Sequence, residues 1–178
     1  MKKGKFMKMS GISLALDDYN DLFSDFDPRE YKERALSHDL LTEVRRATVD
    51  RASGGLELVL MVPKSKRNKK DEIMIKRRLL DHFRRHHVIM HKEKNKVIKT
   101  GIGFTIFGVI VMFLAAYFFF EKADHNLADR FLLTLFEPAG WFLFWEGLGQ
   151  IVFESKKKNS DLIFYEKMTK CEIKFISY

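Results

Sequence analysis

The stretch T100-GIGFTIFGVIVMFLAAYFF-F120 decides how this chain is read. It contains no charged residue. A helix needs about 20 such residues to cross roughly 30 Å of hydrocarbon, and an uncharged run of this length is hard to bury in a small soluble domain. The sequence therefore predicts a membrane span over about residues 98–120. The N-terminal MKKGKFMKMSG is positive but has no apolar run behind it, so it does not read as a cleaved signal peptide.

Further along, FEPAGWFLFWEGLGQIVFE (136–154) is apolar but carries Glu137, Pro138 and Glu146. Proline cannot donate the backbone bond that Thr134 would receive inside a helix. The reading is a second span over about 131–153, broken at Pro138, with Glu137 at the outer interface. Glu146 lies seven residues before Phe153, about 10 Å inside the apolar band. A carboxylate at that depth is costly unless paired or wetted, and so becomes a candidate functional group.

The helical period places Gly101, Thr105 and Gly108 on one face of the first span, and Glu146, Gly147 and Gln150 on one face of the second. Small faces let membrane helices approach closely, and polar groups there can bond across. Run antiparallel, Thr105 and Gly101 lie near the depth of Glu146. The expectation is a Glu146–Thr105 bond within the hairpin or contact between copies of Glu146. Gly101, Thr105, Gly108, Glu146, Gly147 and Gln150 form the candidate membrane polar and packing site.

Charge sets the orientation. Residues 1–96 carry 23 Lys/Arg against 15 Asp/Glu; residues 97–154 carry 3 against 6; residues 155–178 carry 6 against 3. Lys92, Lys94, Lys96 and Lys99 precede the first span, and Lys156, Lys157 and Lys158 follow the second. The connecting EKADHNLADR has only Lys122 and Arg130. By the positive-inside rule both termini are cytoplasmic, in the cell's inner membrane. Residues 64–99 hold 14 basic against 4 acidic side chains, which suits anionic lipid headgroups at about 1 kcal/mol per basic residue. The candidate headgroup-binding residues are Lys66, Arg67, Lys69, Lys70, Arg84, Arg85, Lys92, Lys94 and Lys96. Nucleic-acid binding fits the charge but has no accompanying RRM, KH or OB signature.

The remainder reads as a small α/β (α+β) cytoplasmic domain over 1–96, attached to a two-helix transmembrane hairpin over 97–154. The tail, 155–178, returns a strand to the domain. GISLAL (11–16), LELVLMV (56–62) and EIKFISY (172–178) read as strands, the first two forming a parallel β-α-β unit. FDPRE (26–30) reads as a helix start, with Asp27 capping and Pro28 at the first turn; Ser37 is an alternative start, and Gly54 and Gly55 a C-cap. Residues 71–94 form a basic amphipathic helix.

Two histidine pairs at i, i+4, His82 with His86 and His87 with His91, have a spacing that can hold zinc. Beyond Glu93 and Cys171 by residue type there is no third ligand, so neither metal nor cofactor is assigned. Cys171, the single cysteine, excludes an intramolecular disulfide and suits a reducing compartment. Arg77 and His82 make an R-x4-H pattern that resembles the signature of HEPN ribonucleases. There, however, a polar residue commonly follows the arginine, and here Arg78 does. No phosphate-binding glycine loop or nucleophile elbow is present.

FSDFDPREYKERALS (23–37) together with EPAGWFLFWEGL (137–148) resembles a family of small prokaryotic membrane proteins with two spans. The resemblance implies a membrane location, carries no activity and transfers no site residues. The expected function is a non-catalytic, self-associating membrane scaffold or signalling module that binds anionic lipid or a cytosolic protein. The runner-up is a homo-oligomeric channel lined by Glu146 and Gln150, and the third a ribonuclease or other enzyme.

Overall fold

The computed structural model of the protein describes residues 11–48, 56–121 and 126–178. Gly54 and Gly55, and Lys122 and Asp124 of the connecting loop, lie outside them. The chain divides into two compact units, Met1–Ile89 with Leu162–Tyr178, and Met90–Asp161.

The first unit is built on three strands, β1 (Gly11–Ala15), β2 (Glu57–Val62) and β3 (Glu172–Ser177), all parallel in the order β1-β2-β3. Register pairs Ile12 with Leu58 and Leu58 with Ile173, then Leu14 with Leu60 and Leu60 with Phe175. Strand side chains alternate, so these residues share one face. Leu58 and Leu60 are fully buried there. The same core takes Leu40 and Val44 from helix α1 (His38–Thr48), Ile75, Leu79 and Phe83 from helix α2 (Lys69–Glu121), and Phe164 and Met168 from helix α4 (Ser155–Thr169). Phe83 meets Phe164 edge-on, with centroids 6.3 Å apart, within the roughly 4.5–7 Å of such pairs.

FDPRE is not a helix start. Residues 23–37 form an irregular loop, and α1 begins only at His38, one residue after Ser37. The Asp27 carboxylate is turned to other work. It accepts from the Arg29 backbone and guanidinium and from the Ala35 backbone N–H at 2.7 Å, and so closes the loop instead of capping a helix.

Arg67 and Glu72 join the sheet to α2. The Arg67 guanidinium makes a two-point bond to the buried Glu72 carboxylate (2.7 and 3.0 Å) and also donates to Phe175 O at 3.2 Å. Tyr19 OH donates to Glu72 at 3.1 Å and accepts from the Asn68 N–H at 2.9 Å. Arg67 holds the Glu72 carboxyl below its ordinary range.

In the second unit, α2 packs antiparallel to α3 (Leu127–Gly149), which a π-helical turn, Gln150–Glu154, joins to α4. Glycines set the separation. A Cβ on Gly108 would lie 2.6 Å from Phe144 N and 2.8 Å from Gly140 O, and one on Gly101 would lie 2.8 Å from Gly147 O. Thr105 and Gly101 face Gly147 in the same way.

The fold class differs from the expected α/β domain on a two-helix transmembrane hairpin. The chain is mainly helical, with a small parallel sheet and one very long helix, and among the described residues only α2 is long and apolar enough to be a candidate span. The two-helix transmembrane hairpin does not stand. The reason lies in α3, where Asp129, Arg130, Glu137 and Glu146 interrupt the apolar residues, whereas the apolar half of α2 has none. Nor does Pro138 break the chain as expected. It lies inside a continuous α3, and the irregularity comes later, at the π-helical turn.

Candidate membrane-surface site

Successive turns of α2 present a single exposed face: Lys70, Ile73, Arg77, Asp81, Arg84, Val88, His91, Asn95 and Lys99, then Ile102, Ile106, Val109, Phe113 and Tyr117. The face changes character at one place. Up to Lys99 it is mainly basic, with Asp81 and scattered apolar residues; from Ile102 onward no side chain named on it is charged.

The same change occurs alongside, on the chain leaving α3. Val152 and Phe153 are exposed and apolar, and Lys156, Lys157 and Lys158 follow. Two contacts fix the level. Lys94 Nζ donates to Asn159 Oδ1 at 2.9 Å, and Lys158 Nζ to Glu93 at 2.8 Å, the latter raising the Lys158 pKa. Lys92, Lys94, Lys96 and Lys99 thus stand beside Lys156, Lys157 and Lys158 as a collar at the edge of the apolar band, in which Lys157 is paired with Glu154 and Lys158 with Glu93. In the sequence Lys156 to Lys158 mark only topology; their contacts with α2 bring them to the site.

The other predicted headgroup ligands are placed differently. Lys66 pairs with Asp18 at 3.5 Å and Arg67 is committed to Glu72. Lys69, Lys70, Arg84 and Arg85 are exposed. Arg84 precedes Ile102 by eighteen residues of helix, about 27 Å of rise, well beyond the roughly 10 Å reach of a charge in saline.

Glu146 and Thr105 do not meet. Thr105 Oγ1 donates to Gly101 O at 2.9 Å within its own helix, while Glu146 is exposed and accepts from Gln150 Nε2 at 3.1 Å. Gly101, Gly108 and Gly147 are spent on the α2–α3 contact, to which Gly140, not singled out from the sequence, contributes equally. The seven-residue spacing of Gly140 and Gly147 was the available signal.

No group of three His, Cys, Asp or Glu among the described residues could hold a metal. The His82 and His86 rings lie 4.2 Å apart, tilted by 34°, and His86 stacks on Tyr165. Arg77 is turned outward to Asp81, at 3.9 Å, so the R-x4-H pair does not form one site within the chain. His82 Nε2 is buried without a hydrogen-bond partner among the described residues. Burial, with His86, Arg78 and Arg85 nearby, pushes its pKa down to about 4. The sign follows from linkage: the unfolded chain takes up a proton near pH 6.5 that the folded chain refuses until about 4. The first unit should therefore lose thermal stability as pH falls from 6.5 toward 4, and His82→Phe should flatten that slope. A melting-temperature profile against pH checks this; an unchanged slope in the variant would remove His82 as its source.

No family model matches the chain, and no curated protein or solved structure matches it either.

Proposed function

We propose that this is a non-catalytic membrane-anchored docking module: the apolar half of α2 inserts into a bilayer, and the lysine collar at its edge binds anionic headgroups. The observation that carries the reading is the coincidence of two basic-to-apolar transitions at one level, on α2 at Lys99–Ile102 and on the neighbouring chain at Phe153–Lys156. Only 17% of the most apolar window of α2 is buried inside the structure, which supports a lipid-facing helix over the core helix of a soluble protein. Ile102, Ile106, Val109, Ile110 and Phe113 on α2 are all exposed. A contiguous apolar surface of this extent calls for a cover. By the positive-inside rule the lysines, and with them the first unit, lie on the cytoplasmic side.

Two measurements test this. Alkaline carbonate should leave the full chain in the membrane pellet; release into the supernatant would refute insertion. Native mass spectrometry from mixed nanodiscs should find phosphatidylglycerol retained over phosphatidylcholine. Replacing Lys92, Lys96, Lys99 and Lys156 with glutamine should lower that preference by up to about three orders of magnitude, given roughly 1 kcal/mol per lysine. A wild-type chain with no preference would remove the lipid-binding role.

A further inference from the structure

Phe26 is 97% exposed, yet the loop that carries it is closely tied. Ser24 N–H bonds to Ala35 O and Ser37 N–H to Leu22 O, at 2.9 and 3.0 Å. The Arg34 guanidinium donates to Ser24 O and Asn20, and Asp27 holds Arg29 and Ala35. Beneath, Phe23 is buried and stacks on Tyr31 with centroids 5.2 Å apart. A large aromatic side chain on a pre-ordered loop loses little freedom on binding, which is the character of an interface anchor.

The α2 face of the same unit is its chemical complement. Ile73 is 69% exposed and Met74 42%, and one turn on stands Arg77, whose exposed guanidinium makes only a long surface pair with Asp81, at 3.9 Å, and can exchange it for the face of an aromatic ring. Residues 21–34 hold five acidic against three basic side chains, and residues 69–89 hold seven basic against three acidic. Arg78 Nε donates to Arg34 O at 3.1 Å, so the loop lies against α2 within five residues of Ile73. We propose that Phe26 seats on Ile73, Met74 and Arg77 of a second copy of this chain.

A two-fold axis along α2 makes both contacts at once, each loop on the other helix, and closes the assembly as a dimer. The proposal rests on the membrane reading in one respect: copies in one bilayer share a direction, so only groups at the same level along α2 can meet.

The test uses full-length chains carrying Cys171→Ser, co-expressed with different tags, one with Phe26→Cys and the other with Ile73→Cys. Oxidised vesicles should contain the mixed disulfide well above a control in which Glu43→Cys replaces Ile73→Cys. Phe26→Asp should weaken the dimer at least 10-fold by mass in lipid; Arg77→Glu should do the same, and Asp25→Arg added to Arg77→Glu should restore it. Asp25, Phe26, Glu43, Ile73 and Arg77 are exposed, and the buried Cys171 is replaced by a serine of similar size in every chain, the controls included; circular dichroism checks that the fold persists. A monomeric wild-type chain, a mixed disulfide no more abundant than the control, or a dimer indifferent to Phe26→Asp would each overturn the proposal. Carbonate release of a chain that still forms the mixed disulfide would refute the membrane reading and leave this one standing.

Discussion

Gly108→Leu should separate α2 from α3. Its Cβ would fall 2.6 Å from Phe144 N and 2.8 Å from Gly140 O, and both are backbone atoms that cannot swing aside. Leucine brings further carbons into the same space, so the helices must move apart along their whole contact. Overpacking of this kind costs up to about 3 kcal/mol, and more where backbones collide, against which the better helix propensity of leucine returns roughly 0.8 kcal/mol. Trp141 and Trp145, the only two tryptophans, both lie on α3, so denaturant unfolding followed by their emission reads this contact directly. The transition should shift to markedly lower denaturant or disappear. Gly103→Leu is the control: a Cβ there meets nothing within 4 Å, and stability should hold or rise slightly. Equal effects from the two variants would refute the packing described.

Glu72→Leu should be the most damaging single change in the first unit. It strips the Arg67 guanidinium of its two-point partner and leaves Tyr19 OH without an acceptor, at a position where Glu72 is 7% exposed. Removing one member of a buried pair costs about 3–5 kcal/mol, because the remaining charge is stranded. In a unit of this size that lowers the melting temperature by roughly 15 °C or more. Adding Arg67→Met should recover much of the loss, since replacing both partners with apolar groups is often close to neutral. Hydrogen exchange at the β2 amides reports both. If Glu72→Leu leaves their protection unchanged, the network does not hold α2 to the sheet. The Glu72 pKa is lowered chiefly by Arg67. The stabilisation is therefore present above the ordinary carboxylate range and lost as pH falls through it, in the same direction as the His82 effect.

The strands were legible because each segment announces itself locally. GISLA, ELVLMV and EIKFIS are short runs of apolar or alternating residues, two of them bounded by glycine or proline, and the structure places its three strands within them. The loop of residues 23–37 was not legible. Asp27 and Pro28 suit a helix start in isolation; what overrides them is the bond from Ala35, eight residues away, and the bridge between Phe23 and Leu36. Pro138 misled in a similar way. A proline removes one backbone bond but does not by itself end a helix whose neighbour holds it in place, and α3 is held against α2 at Gly140, two residues on.

The candidate site divides along the same line. The apolar run and the lysines beside it follow from composition alone, because hydration of charge and exclusion of hydrocarbon act on each residue wherever the chain carries it. That Lys156–Lys158 stand level with Lys92–Lys99, that Glu146 turns to Gln150 and away from Thr105, and that Arg67 is committed to Glu72 and Phe175 could be decided only by tertiary structure. These depend on which groups, up to 108 residues apart for Arg67 and Phe175, come within hydrogen-bond reach. Bonds of about 3 Å are set by the packing of whole elements, and no local pattern in the chain encodes that distance.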